Sequence, residues 1–153
     1  MAKNIIIFSD GTGQDGGVRA EQRLSNIYKM YRACRVSPET IIDPKDQVAF
    51  YDPGLGTETT ATGMTGLVRW TQKTLASVSG RGITTNIVDC YEFLINHYEP
   101  GDRIFLFGFS RGAYTVRSIA NLLMLCGVPT RHDDQSLQRF RKSIRDIADE
   151  AVH

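Results

Sequence analysis

A chain of 153 residues, 41% hydrophobic and 23% charged, is long enough for one domain with its own core, and its composition is that of a folded globular protein. The net charge is only +1, and the basic residues gather only near the C-terminus. There Asp146, Asp149 and Glu150 answer Arg139, Arg141, Lys142 and Arg145, so nucleic acid is not an expected partner. Four apolar residues after Lys3 are too few for a secretory signal core, and no segment is long enough to span a bilayer, so the chain is expected to be cytoplasmic as synthesised, with any export by a signal-less route.

Asn4 to Phe8 is a β-branched run that ends at Ser9-Asp10-Gly11-Thr12-Gly13, which predicts a buried parallel strand and then a glycine-rich surface loop reaching Gly17. From about Glu21 to Val36, Leu24, Ile27, Tyr28, Tyr31 and Cys34 recur at helical spacing, and Ser37-Pro38 stops the helix. Val48 to Tyr51 is a second short strand, turning out through Asp52-Pro53-Gly54. The Thr- and Gly-rich stretch after it, about 57–78, carries Met64, Leu67, Val68 and Trp70. It is expected to be a mobile insertion that lies over the site as a lid.

A helix is expected to begin at Gly80-Arg81-Gly82 and to present Ile83, Ile87, Tyr91, Leu94, Ile95 and Tyr98 on one face. Pro100-Gly101-Asp102 turns into the apolar strand Ile104 to Phe107, and a long helix follows Ser110 and closes at Gly127. The last helix is expected to start at a cap on Asp133 or Asp134, with Leu137, Phe140, Ile144, Ile147 and Ala151 on one face. Strands alternating with helices predict an α/β class with a mainly parallel sheet. Cys34, Cys90 and Cys126 each fall in a predicted helix and are expected to be buried thiols in a reducing compartment, with no disulfide and no metal site.

At the last strand-to-helix join stands Gly108-Phe109-Ser110-Arg111-Gly112, a G-x-S-x-G. Chemistry needs that pattern because a strand turning abruptly into a helix brings backbones too close for anything but glycine. The serine is then held at the positive end of the helix, where a developing oxyanion is stabilised. Ser110 is therefore the candidate nucleophile, against the plain alternative of a Gly-Ser turn with an idle hydroxyl. The first loop admits three readings. Gly11-Thr12-Gly13-Gln14-Asp15-Gly16 fits G-x-G-x-x-G, but no helix starts cleanly at its third glycine, and Asp52 lies too far on for a dinucleotide site. Asp10-Gly11-Thr12 is close to the D-x-D-G-T of aspartyl-nucleophile phosphatases, yet Phe8 stands where the nucleophile belongs. The third reading gives an oxyanion hole, with one N–H from Arg111 and the other from Gly11 or Thr12.

Phe8-Ser9-Asp10-Gly11-Thr12, Tyr51-Asp52-Pro53-Gly54-Leu55-Gly56-Thr57 and the block Gly101 to Tyr114, with the helix to Tyr98 between the last two, occur here in order. Together they resemble the α/β-hydrolase family that includes the type VI secretion phospholipase effectors. The resemblance covers Asn4 to Pro129 and implies a three-layer α/β/α hydrolase fold over 1–153, an acyl-enzyme on Ser110, a lipid or other ester substrate met at a membrane surface, and no cofactor. Members of that family continue to an acid and then a histidine. Here His132 precedes Asp133 and Asp134, His153 is terminal, and His97, beside Tyr98, reads as an exposed polar position, so no triad closes. The chain resembles the amino-terminal half of such an enzyme. By itself it is expected to have little hydrolase activity and to self-associate or pair with a missing C-terminal half. The rival expectation is a binding or assembly module that keeps the fold without the chemistry.

Overall fold

The computed structural model describes residues 2–11, 14, 24–54, 80–132 and 135–153. The expected lid at about 57–78 lies outside the described residues, as do Thr12 and Gly13 of the first loop. Among the described residues, β1 (Asn4–Ser9), β2 (Gln47–Asp52) and β3 (Arg103–Gly108) form a parallel sheet in the order β2-β1-β3. The helices are α1 (Asn26–Cys34), α2 (Gly80–His97), α3 (Arg111–Leu125) and α4 (Lys142–Val152). β4 (Arg131–His132) and β5 (Gln135–Ser136) pair antiparallel beside them.

β1 is the central strand and reads as an unbroken apolar run because both its faces are covered. Ile5 and Ile7 face a core built with Val88, Tyr91, Leu94 and Ile95 of α2, Ile119 of α3 and Ile144 of α4. Phe8 faces the other way, stacked on Phe107 at 5.2 Å and edge-on to Tyr31 of α1 at 6.1 Å. Tyr28, Tyr31 and Tyr51 complete that aromatic layer. Helices therefore lie on both faces of the sheet, and each fully buried aliphatic contributes about 1.5–3 kcal/mol. The register brings Ser9, Asp52 and Gly108 to the same level at the carboxyl ends of the three strands.

Four expectations are corrected. The first described helix begins at Asn26, because the Ser25 hydroxyl accepts the Tyr28 N–H (2.9 Å) and caps it there. The last helix begins at Lys142, well after the expected caps Asp133 and Asp134, which lie outside the described residues. Phe140 takes a left-handed φ of 59° and donates its N–H to the Asn96 side chain at 2.7 Å. Leu137 and Phe140 thus lie before α4, and tertiary hydrogen bonds override the helical spacing there. Cys126 is exposed just beyond α3, while Cys90 is buried and Cys34 half-buried. His97 is half-buried, its ring 4.0 Å from that of Phe93 and its Nδ1 2.8 Å from the Phe93 carbonyl oxygen.

β3 pairs with β1 alone among the described strands, and Phe105 on it is 41% exposed. On α3, Met124 and Leu125 are 85% and 84% exposed. Among the described residues β3 therefore has one unpaired edge, and apolar side chains on it and at the end of α3 face solvent.

Candidate functional site

The sheet's carboxyl edge is where backbone polar groups and helix N-termini converge in a parallel α/β protein. Here β3 ends at Gly108 and α3 begins at Arg111, leaving two residues to reverse the chain. Ser110 takes φ 55° and ψ −118°, a left-handed conformation that costs a side-chain-bearing residue about 1–3 kcal/mol. The turn is held by Phe109 N–H to Ser9 O (3.1 Å), Gly112 N–H to Phe109 O (2.9 Å) and Ala113 N–H to Ser110 O (3.0 Å). Its glycines are dictated by contact. A Cβ on Gly108 would lie 2.4 Å from the Gly112 carbonyl oxygen, and one on Gly112 would lie 2.0 Å from the Ser9 carbonyl oxygen.

Ser110 also abuts the first loop, since a Cβ on Gly11 would meet the Ser110 Cβ at 3.0 Å. Among the described residues the Ser110 hydroxyl makes no hydrogen bond. Beside it an open groove of about 480 Å³ runs along α3 past Tyr114, Arg117 and Asn121.

Two carboxylates organise this edge from beneath: Asp10, already part of the motif expected from the sequence, and Asp52, which the sequence-based site leaves out. Asp10 is 1% exposed and accepts hydrogen bonds from the Gly11 N–H (2.9 Å), the Tyr51 hydroxyl (2.9 Å) and the Ser25 hydroxyl. It ties the start of the loop to β2 and to the cap of α1. Burial, then the bond to Asp10, pushes the Tyr51 hydroxyl well above its ordinary pKa, so it stays a donor. The Gly11 N–H, half of the expected oxyanion hole, is directed to the Asp10 carboxylate here.

Asp52, 4% exposed, accepts from the Ser9 hydroxyl at 2.6 Å and the Asn86 amide at 3.1 Å. Burial raises its carboxyl to about 6, although those two bonds and the Arg111 charge act the other way. Arg111 is itself held below its usual range by burial, with Asp52 opposing. The two charges therefore lie close enough to influence each other. The signal available in the sequence was an aspartate at the end of each of the first two strands.

Among the described residues no histidine side chain is hydrogen-bonded to the serine. His97 closes α2 just before β3 starts, so it lies at the sheet's amino edge while Ser110 lies at the carboxyl edge. Burial lowers the His97 pKa, with Lys3 and Arg139 adding to the effect. His153 sits 3.7 Å from Asp149 at the end of α4, and the His132 side chain is outside the described residues. Among the described residues no group of three or more His, Cys, Asp or Glu side chains is placed to hold a metal ion.

A parallel sheet with helices on both faces and a strained serine at a strand-to-helix turn defines the class: an α/β protein with a serine-bearing turn at its carboxyl edge. Comparison with known proteins sharpens this. The family model described as the type VI secretion phospholipase effector Tle1-like catalytic domain matches residues 3–152, and the chain belongs to that family. It is also similar to the uncharacterised protein YEL023C of Saccharomyces cerevisiae, 34% identical over 134 residues. That match covers 82% of this chain and 18% of the yeast protein, so the chain spans about a fifth of that relative's length. No solved structure gives a significant match.

Proposed function

We propose that the chain carries the nucleophile of a serine hydrolase acting on carboxylic esters, with lipid or phospholipid as the substrate class. The observation that carries this reading is the conformation of Ser110, φ 55° and ψ −118° between β3 and α3, with its Cβ against Gly11. Backbone strain held in place by two contact-dictated glycines has no packing benefit of its own, and such strain is characteristic of functional turns. The lipid class follows from the family's description as phospholipase effectors.

In the proposed reaction the Ser110 hydroxyl oxygen attacks the ester carbonyl carbon, its proton passes to a general base, and the alcohol leaves with a proton as the acyl-enzyme forms. Water then releases the acid. The N–H of Arg111, first in α3, faces the oxyanion with the helix's positive end behind it. The second donor is the N–H of Thr12 or of Gly11, the latter only after it leaves the Asp10 carboxylate. The groove beside Tyr114 and Arg117 receives the substrate, which is met at a membrane surface. No cofactor takes part.

A second reading has its own observation. Among the described residues the Ser110 hydroxyl has no hydrogen-bond partner and His97 stands at the opposite sheet edge, which favours a binding or assembly module without turnover. Fluorophosphonate labelling separates the two. An activated serine takes the probe at Ser110 and loses it in Ser110→Ala, whereas a module without chemistry takes none.

A further inference from the structure

We propose that Asp52 is a positioning residue for Ser110: through the Ser9 hydroxyl it fixes the carbonyl that anchors the turn carrying the serine. Its bearing on catalysis rests on the reading of Ser110 as the nucleophile.

The connection is continuous. Asp52 Oδ2 accepts the Ser9 hydroxyl at 2.6 Å, and the Asn86 amide of α2 holds the same oxygen at 3.1 Å. The Asp52 carbonyl also accepts the Asp10 N–H at 3.0 Å, so Asp52 grips Ser9 and its neighbour from both main chain and side chain. The Ser9 carbonyl in turn accepts the Phe109 N–H at 3.1 Å. Gly112 packs so close to it that a Cβ there would sit 2.0 Å from the same oxygen. Phe109 and Gly112 flank Ser110, so the Ser9 carbonyl sets both shoulders of the turn.

Electrostatics reinforces the link, because Asp52 attracts Arg111, the residue that follows Ser110. A carboxylate this deeply buried costs the fold even when hydroxyl and amide donors satisfy it, which argues for a purpose beyond packing. Hydroxyl and amide donors to Asp52, with the Arg111 charge nearby, hold one geometry of Ser9 where an apolar side chain would leave it free to turn.

The test compares the wild-type chain with Asp52→Asn, Ser9→Ala and the double variant. Two readouts are taken: amide exchange of Phe109 against Ile5, Ile6 and Ile7, and the rate of fluorophosphonate addition to Ser110. Phe109 exchange is expected to rise about tenfold in each single variant while the β1 amides hold. Labelling is expected to fall roughly 10- to 100-fold in Asp52→Asn, and the double variant is expected to be no slower, since both changes cut one connection. Unchanged Phe109 exchange, or equal acceleration of Phe109 and β1, overturns the proposal. Should Asp52→Asn not fold, Ser9→Ala decides by the same criteria. If the wild type takes no label while Phe109 still responds selectively, the positioning role stands and the hydrolase reading fails.

Discussion

Replacing Ser110 by glycine is expected to make the chain more stable, which is an unusual outcome for a glycine substitution. The serine holds φ 55° and ψ −118°, its hydroxyl has no hydrogen-bond partner among the described residues, and it is exposed. Nothing is lost by deleting the side chain, whereas a non-glycine residue in such a region costs about 1–3 kcal/mol. Glycine removes that strain but widens the unfolded ensemble, at a cost of about 0.5–1 kcal/mol. The net expectation is a gain of about 1 kcal/mol, or a rise of about 2–4 °C in Tm for a chain of this size. Ser110→Ala keeps the strain and is expected to melt within about 0.5 kcal/mol of the wild type. Urea unfolding followed by circular dichroism measures all three proteins. If Ser110→Gly is no more stable than Ser110→Ala, the turn stores no strain and the reasoning that makes it a functional turn fails.

Gly112→Ala is expected to destabilise by at least about 1–3 kcal/mol, because its Cβ would meet the Ser9 backbone at 2.0 Å and backbone on both sides must move. Denaturant midpoints check it, and a shift under about 0.5 kcal/mol would show that the close approach is not held in solution. The Asp52 carboxyl, raised to about 6 chiefly by burial, is charged less readily in the fold than in the unfolded chain. The unfolded chain therefore loses this proton first, near pH 4, and the wild type loses up to about 3 kcal/mol relative to Asp52→Asn as pH rises from about 4 to 7. A stability difference that stays constant over that range contradicts the assignment. The β3 edge that is unpaired among the described residues, with exposed Phe105, Met124 and Leu125, predicts that the purified chain associates at micromolar concentration. Sedimentation velocity tests this, and a stable monomer would contradict it.

The strands were legible because their apolar runs are short and bounded by turn signals. Helix α2 was legible because its apolar face repeats without interruption from Ile83 to Ile95. The start of α4 was not, because Leu137 and Phe140 keep the helical spacing while Asn96 captures the Phe140 N–H and turns the backbone left-handed. Spacing records which residues face a core, and it is silent about a hydrogen bond made 44 positions away. Ser110 and its glycines could be found from the pentapeptide, since close backbone approach leaves glycine as the sole choice. The Asp10 and Asp52 networks could not be found that way. Their partners Ser25, Tyr51, Ser9 and Asn86 are ordinary surface residue types, brought together only by strand register and the cap of α1. His97 was misjudged for the same reason, because stacking on Phe93 one turn earlier and against Phe140 buries a side chain that reads as polar.

The most direct test of the central claim is mass spectrometry of the chain after exposure to a fluorophosphonate. A nucleophilic Ser110 predicts one phosphonyl adduct on the peptide containing it, absent from Ser110→Ala. The adduct should form slowly, since none of the described histidine side chains is hydrogen-bonded to the hydroxyl. An adduct on any other residue, or none after prolonged exposure of folded protein, would contradict the account.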